Sequence, residues 1–486
     1  MIDLKNLTIK KAHKHLVNKD FTARELSLAY LKNAERENPK INAYAEIFDS
    51  DDTVSQAGTA DAYIAREGDH AHALAGIPFA IKDNILIKGK TASCASKILE
   101  NHKAAYDATA IVKLRNEHPV FLGRANMDEF AMGSSTERSL YGPTKNPHDL
   151  SRSAGGSSGG PAAAVAMHGA LAALGSDTGG SVRQPASFCG LVGLKPTYGA
   201  VSRYGLVAMA SSFDQIGPIT KTVEDAEIVF NAIKGRDPLD STSVDFSNSK
   251  FKTLDSKLKI GVPDFLFSKE TALEKDVLEN FENAIKELER AGFGVERLNT
   301  SLAKHALPVY YVIMPAEVSS NLARFDGVRY GFYKEGATVM EDYKNTRGEG
   351  FGVEVQRRIL LGTYVLSSGY YDAYYQKAVK VQQMIRADYS AIFNKVDVLM
   401  TTTTSTSACN LGEKLSDPVT MYLSDIFTVV ANITGFPAIS IPSGVVNRES
   451  KALPLGVQFM APHGGEDILF SIGKQLEAIQ KTHTIS

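Results

Sequence analysis

Hydrophobic positions near the start of the chain recur at helical spacing. Those that share one helix face are Leu26, Ala29, Tyr30 and Ala34. Thr22 precedes this stripe, and Glu25 follows three positions later, which is the spacing of a capping box at a helix N-terminus. The pattern predicts that residues 1–70 form a polar, mainly helical N-terminal segment.

From residue 258 onward, short apolar runs alternate with a helical stripe. Residues 258–262 and 295–298 are typical of buried strands, and Gly292 would end the helix between them. The side chains that this helix would bury are Val277, Phe281, Ala284, Ile285 and Leu288. Later apolar runs that also predict strands are 396–400 and 437–441. The alternation predicts an α/β fold, a single large domain over residues 1–486 with a central mixed β-sheet flanked by helices on both faces.

The middle of the chain, residues 74–220, has a different character. It is rich in Gly, Ala and Ser between short apolar runs. Glycine at this density costs conformational entropy on folding, so it indicates close backbone approach at a site. Residues 300–390 are rich in Tyr and Arg and predict a mostly helical lobe over that site.

Composition limits the classes of function that the chain can have. Of 486 residues, 43% are apolar and 22% charged, as in ordinary globular proteins, and the net charge of −2 argues against a broad basic surface for nucleic acid. No apolar run reaches membrane-spanning length, and the first residues lack the apolar core of a secretory signal. Three scattered cysteines, Cys94, Cys189 and Cys409, suit a reducing compartment. We therefore expect a cytoplasmic protein without membrane contact, and eleven histidines without ligand spacing predict no metal site.

Two glycine-rich loops surround one alanine-rich helix within the central segment. The first loop is residues 155–161, GGSSGGP, and the helix would hold Pro161 in its first turn and end near Gly169. An apolar run, residues 170–174, then leads into GSDTGGS, which ends at Ser181. Two such loops around one helix disfavour a simple tight turn without chemistry.

The first loop also fits two known glycine patterns. G-x-S-x-G matches around Ser157, and the frame shifted by one matches around Ser158, as in the nucleophile elbow of α/β-hydrolases. That elbow needs a strand directly before it, whereas residues 150–154 are polar and predict a loop. Neither a P-loop nor a strand-led G-x-G-x-x-G occurs there, so phosphate binding is disfavoured as well.

Residues 155–197, together with AIKDN at residues 80–84, resemble the signature of the amidase signature family. The resemblance implies that Ser181 is the nucleophile and Lys82 the base. It also implies that Ser157 relays protons between them and follows a cis peptide bond. The backbone N–H groups expected to form an oxyanion hole are those of Thr178, Gly179, Gly180 and Ser181.

Elementary chemistry sets a condition on this triad. A serine hydroxyl needs an adjacent base, and His168, the histidine nearest in sequence, has no evident acid to orient it. A lysine can serve only if its pKa of about 10.4 falls by roughly 3 units, through burial away from carboxylates. Asp83 would oppose that shift unless its side chain points elsewhere.

The resemblance extends along the whole chain to one branch of the family, the glutamine-hydrolysing subunits of tRNA-dependent amidotransferases. The segments that carry it are 126–134, 319–327, 357–362 and 422–425. Glutamine has an α-carboxylate and an α-ammonium, and the resemblance assigns Arg358 to the first and Asp425 to the second. Tyr310 is the expected third contact. The neighbours Tyr311 and Arg357 remain open alternatives to Tyr310 and Arg358.

The same resemblance implies partners. Ammonia would pass to a B subunit, which uses ATP and magnesium to amidate Glu-tRNA(Gln), and a small C subunit would complete a heterotrimer. This chain itself would need no cofactor and would meet tRNA mainly through the B subunit. The alternative is a stand-alone amidase of small neutral or hydrophobic amides, which would not need Arg358 or Asp425. A scaffold without chemistry would have no reason to keep Lys82, Ser157 and Ser181.

Overall fold

The computed structural model describes residues 2–246, 258–415 and 417–484. Its strands are β1 Tyr44–Ile47, β2 Pro78–Lys82, β3 Val120–Ala125, β4 Lys145–Asn146, β5 Asp149–Ser153, β6 Ala172–Asp177, β7 Val192–Lys195, β8 Gln215–Thr220, β9 Lys259–Pro263, β10 Gly294–Leu298, β11 Val398–Thr402, β12 Ala438–Arg448 and β13 Lys451–Met460. Its α-helices are α1 Ile9–Val17, α2 Ala23–Ile41, α3 Ser50–Glu67, α4 Thr109–Asn116, α5 Gly159–Ala166, α6 Arg183–Phe188, α7 Val223–Ile233, α8 Lys275–Arg290, α9 Ala306–Asn321, α10 Val339–Gly350, α11 Val353–Leu366, α12 Lys377–Ile392, α13 Pro418–Leu423, α14 Val429–Thr434 and α15 Glu466–Thr484.

Eleven of these strands form one mixed sheet, in the order β1-β3-β2-β6-β8-β7-β12-β13-β11-β9-β10. Strand β2 runs parallel to both β3 and β6, and β9 runs parallel to both β10 and β11. The remaining neighbours are antiparallel. Strands β4 and β5 pair separately in a small antiparallel sheet.

Helices cover both faces of the central sheet, because side chains alternate along each strand. In β2, Phe79 and Ile81 enter the core shared with α1, α3, α4 and α7. Ala80 enters the opposite core, which α2 and α5 share. This arrangement confirms the predicted fold, a single large α/β domain with a mixed sheet between helical layers.

Most of the elements predicted from the hydrophobic pattern occur in the structure. Thr22 and Glu25 form the capping box that begins α2. Helix α8 buries the predicted apolar stripe, and Gly292 follows it in the left-handed conformation with a φ of 86°. Strands β9 and β10 pair in parallel around that helix, and β11 and β12 cover the two later apolar runs.

Three local predictions are wrong. Tyr44–Ile47 forms an edge strand inside the segment that was predicted to be mainly helical. Residues 150–154, predicted as a loop, lie largely in β5, although β5 pairs with β4 outside the central sheet. At the end of α5 the left-handed residue is His168, with a φ of 58°, and not Gly169.

Residues 300–390 contain helices α9 to α12, together with a π-helical turn at Tyr371–Gln376. Helices α9 and α11 pack so closely that a Cβ atom at Gly362 would lie 1.8 Å from the Pro315 carbonyl oxygen. Because only glycine fits there, Gly362 lets α11 approach α9. The two helices together bring Tyr310, Tyr311 and Arg358 to one region of the molecule.

Candidate active site

Lys82 and Ser181 come together because they follow adjacent parallel strands. Lys82 is the last residue of β2, and β6 ends at Asp177, four residues before Ser181. The carboxyl ends of parallel neighbours meet at one edge of a sheet, which is where ligands commonly bind in α/β proteins. Since side chains alternate, Lys82 points to the same face as Ala80, toward α5 and the loop that carries Ser157.

Hydroxyl groups surround the Lys82 amine. Its Nζ lies 2.8 Å from the Ser157 Oγ, 2.8 Å from the Ser158 Oγ and 3.0 Å from the Ser176 Oγ. Lys82 and Ser157 are fully buried, and the peptide bond between Gly156 and Ser157 is cis, as predicted. The structure therefore places the predicted base beside the predicted relay, while their catalytic roles stay a prediction.

The environment of Lys82 meets the condition for a neutral amine. Burial lowers the pKa of Lys82 to about 7, against the more distant charges of Asp128, Asp177 and Asp214. The adjacent carboxylate of Asp83 turns away and forms an ion pair with Arg124. In the described part of the chain, no carboxylate lies within ion-pair distance of Lys82.

The turn after β6 carries Ser181 and is held by a buried ion pair. Asp177 and Arg183 are both fully buried, and their side chains approach to 2.9 Å. The carboxylate of Asp177 also accepts the backbone N–H of Gly180 at 2.9 Å and that of Val182 at 3.2 Å. Both ends of the turn are thus fixed around Ser181, which keeps 8% of its surface exposed.

This geometry narrows the predicted oxyanion hole. The N–H of Gly180 donates to Asp177, so it is not free to hold an oxyanion, and that part of the prediction is wrong. Within residues 2–246, 258–415 and 417–484, the N–H groups of Gly179 and Ser181 have no hydrogen-bond partner. Thr178 is held through its side chain, which donates to Asp214 at 2.7 Å.

The predicted glutamine pocket borders the same turn. A Cβ atom at Gly179 would lie 2.8 Å from the Tyr310 hydroxyl, so Tyr310 lies directly over the turn. The Thr428 hydroxyl lies 2.6 Å from the Gly179 carbonyl oxygen and 3.2 Å from that of Asp425. Asp425 and Tyr310 therefore both lie beside the segment that carries Ser181.

Asp425 has hydroxyl partners and no cation within ion-pair distance among the described residues. Tyr311 donates to one carboxylate oxygen at 2.9 Å, and Ser134 donates to the other at 3.1 Å. Burial raises the pKa of Asp425 to about 6, against these two hydrogen bonds. Tyr311 is thus a direct contact of Asp425, while Tyr310 faces the turn, and the structure brings both tyrosines to the pocket.

Of the two adjacent arginines, Arg358 is the buried one. It is 3% exposed, whereas the side chain of Arg357 keeps 35% of its surface. The Arg358 Nε donates to Glu354 at 2.9 Å, and the rings of Tyr311 and Tyr422 lie 5.8 and 5.5 Å from its guanidinium carbon. Burial acts to lower the pKa of Arg358, but Tyr311 and Glu354 hold it above its ordinary value.

Reasoning from the sequence missed several residues around these groups. Ser158 and Ser176 bind the Lys82 amine, Asp177 fixes the turn, and Glu354 binds Arg358. Glu354 and Arg358 are four positions apart in α11, a spacing at which opposite charges meet, so this pair could have been found from sequence. The grip of Asp177 on the turn could not, because it depends on backbone geometry.

The fold and this arrangement of serines and lysine define the class of the protein. The chain belongs to the Amidase family, whose model matches residues 25–470. The predicted membership of the amidase family is thereby confirmed.

Relatives of known name match almost the whole chain. The A subunit of glutamyl-tRNA(Gln) amidotransferase from Halothermothrix orenii is 50% identical over 481 residues, which cover 98% of each chain. Its namesake from Carboxydothermus hydrogenoformans is 50% identical over 487 residues, which cover 99% of each chain. The crystal structure of the protein of the same name from Thermotoga maritima is 42% identical, has a TM-score of 0.77, and is matched over 97% of this chain and 94% of that one.

Membrane-spanning helices and metal clusters are both absent from the part of the chain that the structure describes. None of the helices there is both long enough and apolar enough to cross a membrane. Across the same residues, no three His, Cys, Asp or Glu side chains are grouped so that they could hold a metal ion.

Proposed function

We propose that this chain is the glutamine-hydrolysing A subunit of a glutamyl-tRNA(Gln) amidotransferase. The observation that carries the proposal is the pair of buried, oppositely charged side chains beside the Ser181 turn, Arg358 and Asp425. Burying a charge is costly unless it is paired, and a small neutral amide offers neither group a partner. Glutamine offers a carboxylate to Arg358 and an ammonium to Asp425. The relatives that share one name support this substrate.

The proposed reaction is acyl transfer through Ser181. As its oxygen attacks the side-chain amide carbon of glutamine, its proton passes to Ser157, whose own proton passes to neutral Lys82. The N–H groups of Gly179 and Ser181 would hold the negative oxygen of the tetrahedral intermediate. The proton then returns through Ser157 to the departing nitrogen, which leaves as ammonia. Water cleaves the glutamyl ester on Ser181 and releases glutamate.

The proposal includes partners that this chain would serve. Ammonia would pass to a B subunit, where ATP, magnesium and Glu-tRNA(Gln) bind, and a small C subunit would complete a cytoplasmic heterotrimer. The net charge of −2 and the lack of a P-loop in the sequence support the assignment of tRNA and ATP to the partner. No cofactor is proposed for this chain.

Ammonia release tests the proposal. The full-length chain, alone and co-purified with the B and C subunits of its own organism, is given glutamine or propionamide, with Ser181→Ala as the blank. We expect a clear preference for glutamine, which Arg358→Gln abolishes while propionamide cleavage stays within about threefold. Preference for propionamide in the complete complex would instead support the stand-alone amidase.

A further inference from the structure

Glu354 is a buried carboxylate with a partner for each of its oxygens. It lies in the first turn of α11 and is 4% exposed. Its Oε1 accepts the Arg358 Nε at 2.9 Å and the Tyr422 hydroxyl at 2.9 Å, while its Oε2 accepts Arg357. Burial acts to raise the pKa of Glu354, but Arg358 outweighs burial and holds that pKa below its usual value. Glu354 is therefore ionised at neutral pH.

The bond from Glu354 fixes which edge of Arg358 can meet a ligand. A guanidinium can bind a carboxylate through Nε and one Nη, or through both Nη atoms. Since Nε already donates to Glu354, only the edge formed by the two Nη atoms remains. On that edge, Nη1 lies 3.6 Å from the Met314 sulfur, which is a weak acceptor. The Nη edge of Arg358 is thus oriented and poorly satisfied.

Glu354 also connects the two charged ends of the pocket. Tyr422, which donates to Glu354, lies three residues before Asp425. The Tyr422 ring stacks on Tyr311 with 4.1 Å between ring centroids, and Tyr311 donates to Asp425. One carboxylate therefore holds Arg358 directly and Asp425 through two tyrosines.

We propose that Glu354 is a positioning residue that sets the orientation of Arg358 and its distance from Asp425. It thereby selects substrates that carry a carboxylate and an ammonium on one carbon. This inference rests on the proposed function, because it assigns Arg358 and Asp425 to the two ends of glutamine. Glu354 itself does not touch the substrate.

Steady-state ammonia release by the complete complex tests the role. Glu354→Gln keeps the size of the side chain and removes its charge, so Arg358 loses its anchor. We expect the KM for glutamine to rise at least tenfold, kcat to change by less than threefold, and kcat/KM for propionamide to stay unchanged. Arg357→Gln, which removes the more exposed partner of the same carboxylate, is the matched control and should change the KM for glutamine by less than twofold.

Tyr422→Phe guards against loss of folding in the charge variant. It removes one hydroxyl from Glu354, and we expect a threefold to tenfold rise in the KM for glutamine. Combined with Glu354→Gln, it should add less than twofold, because both substitutions break one connection. Full additivity, or an equal loss on glutamine and propionamide, would overturn the inference.

The outcomes separate this inference from the proposed function. If Arg358→Gln raises the KM for glutamine and Glu354→Gln does not, the positioning role fails and the pocket stands. If neither substitution changes the KM for glutamine, the assignment of Arg358 fails, and the inference fails with it.

Discussion

The reactivity of Ser181 should follow the protonation of Lys82 as pH changes. A neutral Lys82 is required to accept the proton, and burial lowers its pKa to about 7. With that pKa, the neutral fraction is about 10% at pH 6, about half at pH 7 and about 90% at pH 8. With an ordinary lysine pKa, only about one molecule in 2,500 would be neutral at pH 7. Burial is thus expected to raise the reactive fraction by roughly three orders of magnitude.

Covalent labelling of Ser181 by a small sulfonyl fluoride measures this fraction without the glutamine pocket. The second-order rate constant is followed from pH 5.5 to 10, with the labelled residue identified by mass spectrometry. We expect the rate to rise about tenfold per pH unit below pH 6 and to level off above pH 8. Lys82→Ala should remove the rise altogether.

A second buried lysine provides a matched control. Burial lowers the pKa of Lys195 to about 7 as well, and its amine donates to the Pro196 carbonyl oxygen at 2.8 Å. Lys195→Met should leave the midpoint of the labelling profile near pH 7. A rate that still climbs tenfold per unit above pH 9 would refute the lowered pKa of Lys82. A midpoint that moves with Lys195→Met would refute its assignment to Lys82.

Three further outcomes are expected. Asp425, with a pKa of about 6, is ionised above pH 6 and loses its charge as pH falls, so below pH 6 the log of kcat/KM should fall with a slope of 2 for glutamine and 1 for propionamide. Gly180→Ala should destabilise the fold by about 2–4 kcal/mol in urea unfolding, because Gly180 has a φ of 136°, whereas Gly58→Ala in open space should stabilise it by about 0.5–1 kcal/mol. Asp177→Asn leaves the buried Arg183 without its carboxylate, and the same urea assay should show a loss of about 3–5 kcal/mol.

Much of the fold could be predicted because strands and helices with strong apolar spacing are packed as their spacing indicates. Helix α8 between β9 and β10 is the clearest example. Strand β1 escaped prediction because four residues are too few to show alternation. Strand β5 escaped because its side chains are polar, and one of them, Arg152, is satisfied by the Ala408 carbonyl oxygen, 256 positions away.

The candidate site was harder to predict where its geometry depends on contacts that are distant in sequence. The resemblance to the amidase signature supplied Lys82, Ser157 and Ser181, and the structure places Lys82 beside Ser157. It could not show that Asp177 occupies the N–H of Gly180, because that bond follows from the path of the turn. Spacing alone likewise could not decide between Arg357 and Arg358, since adjacent helix positions differ only in which face they occupy.

The distribution of ion pairs separates the groups that support the site from those proposed to act in it. Asp83 is paired with Arg124, Asp177 with Arg183, and Glu354 with Arg358, each in a contact that excludes most water. Lys82 and Asp425, by contrast, are buried among hydroxyl groups. A hydroxyl solvates a buried amine or carboxylate without fixing its charge, so their pKa values move to about 7 and about 6. The fold thus leaves Lys82 able to exchange a proton and Asp425 able to accept a cation, because it pairs the neighbouring carboxylates elsewhere.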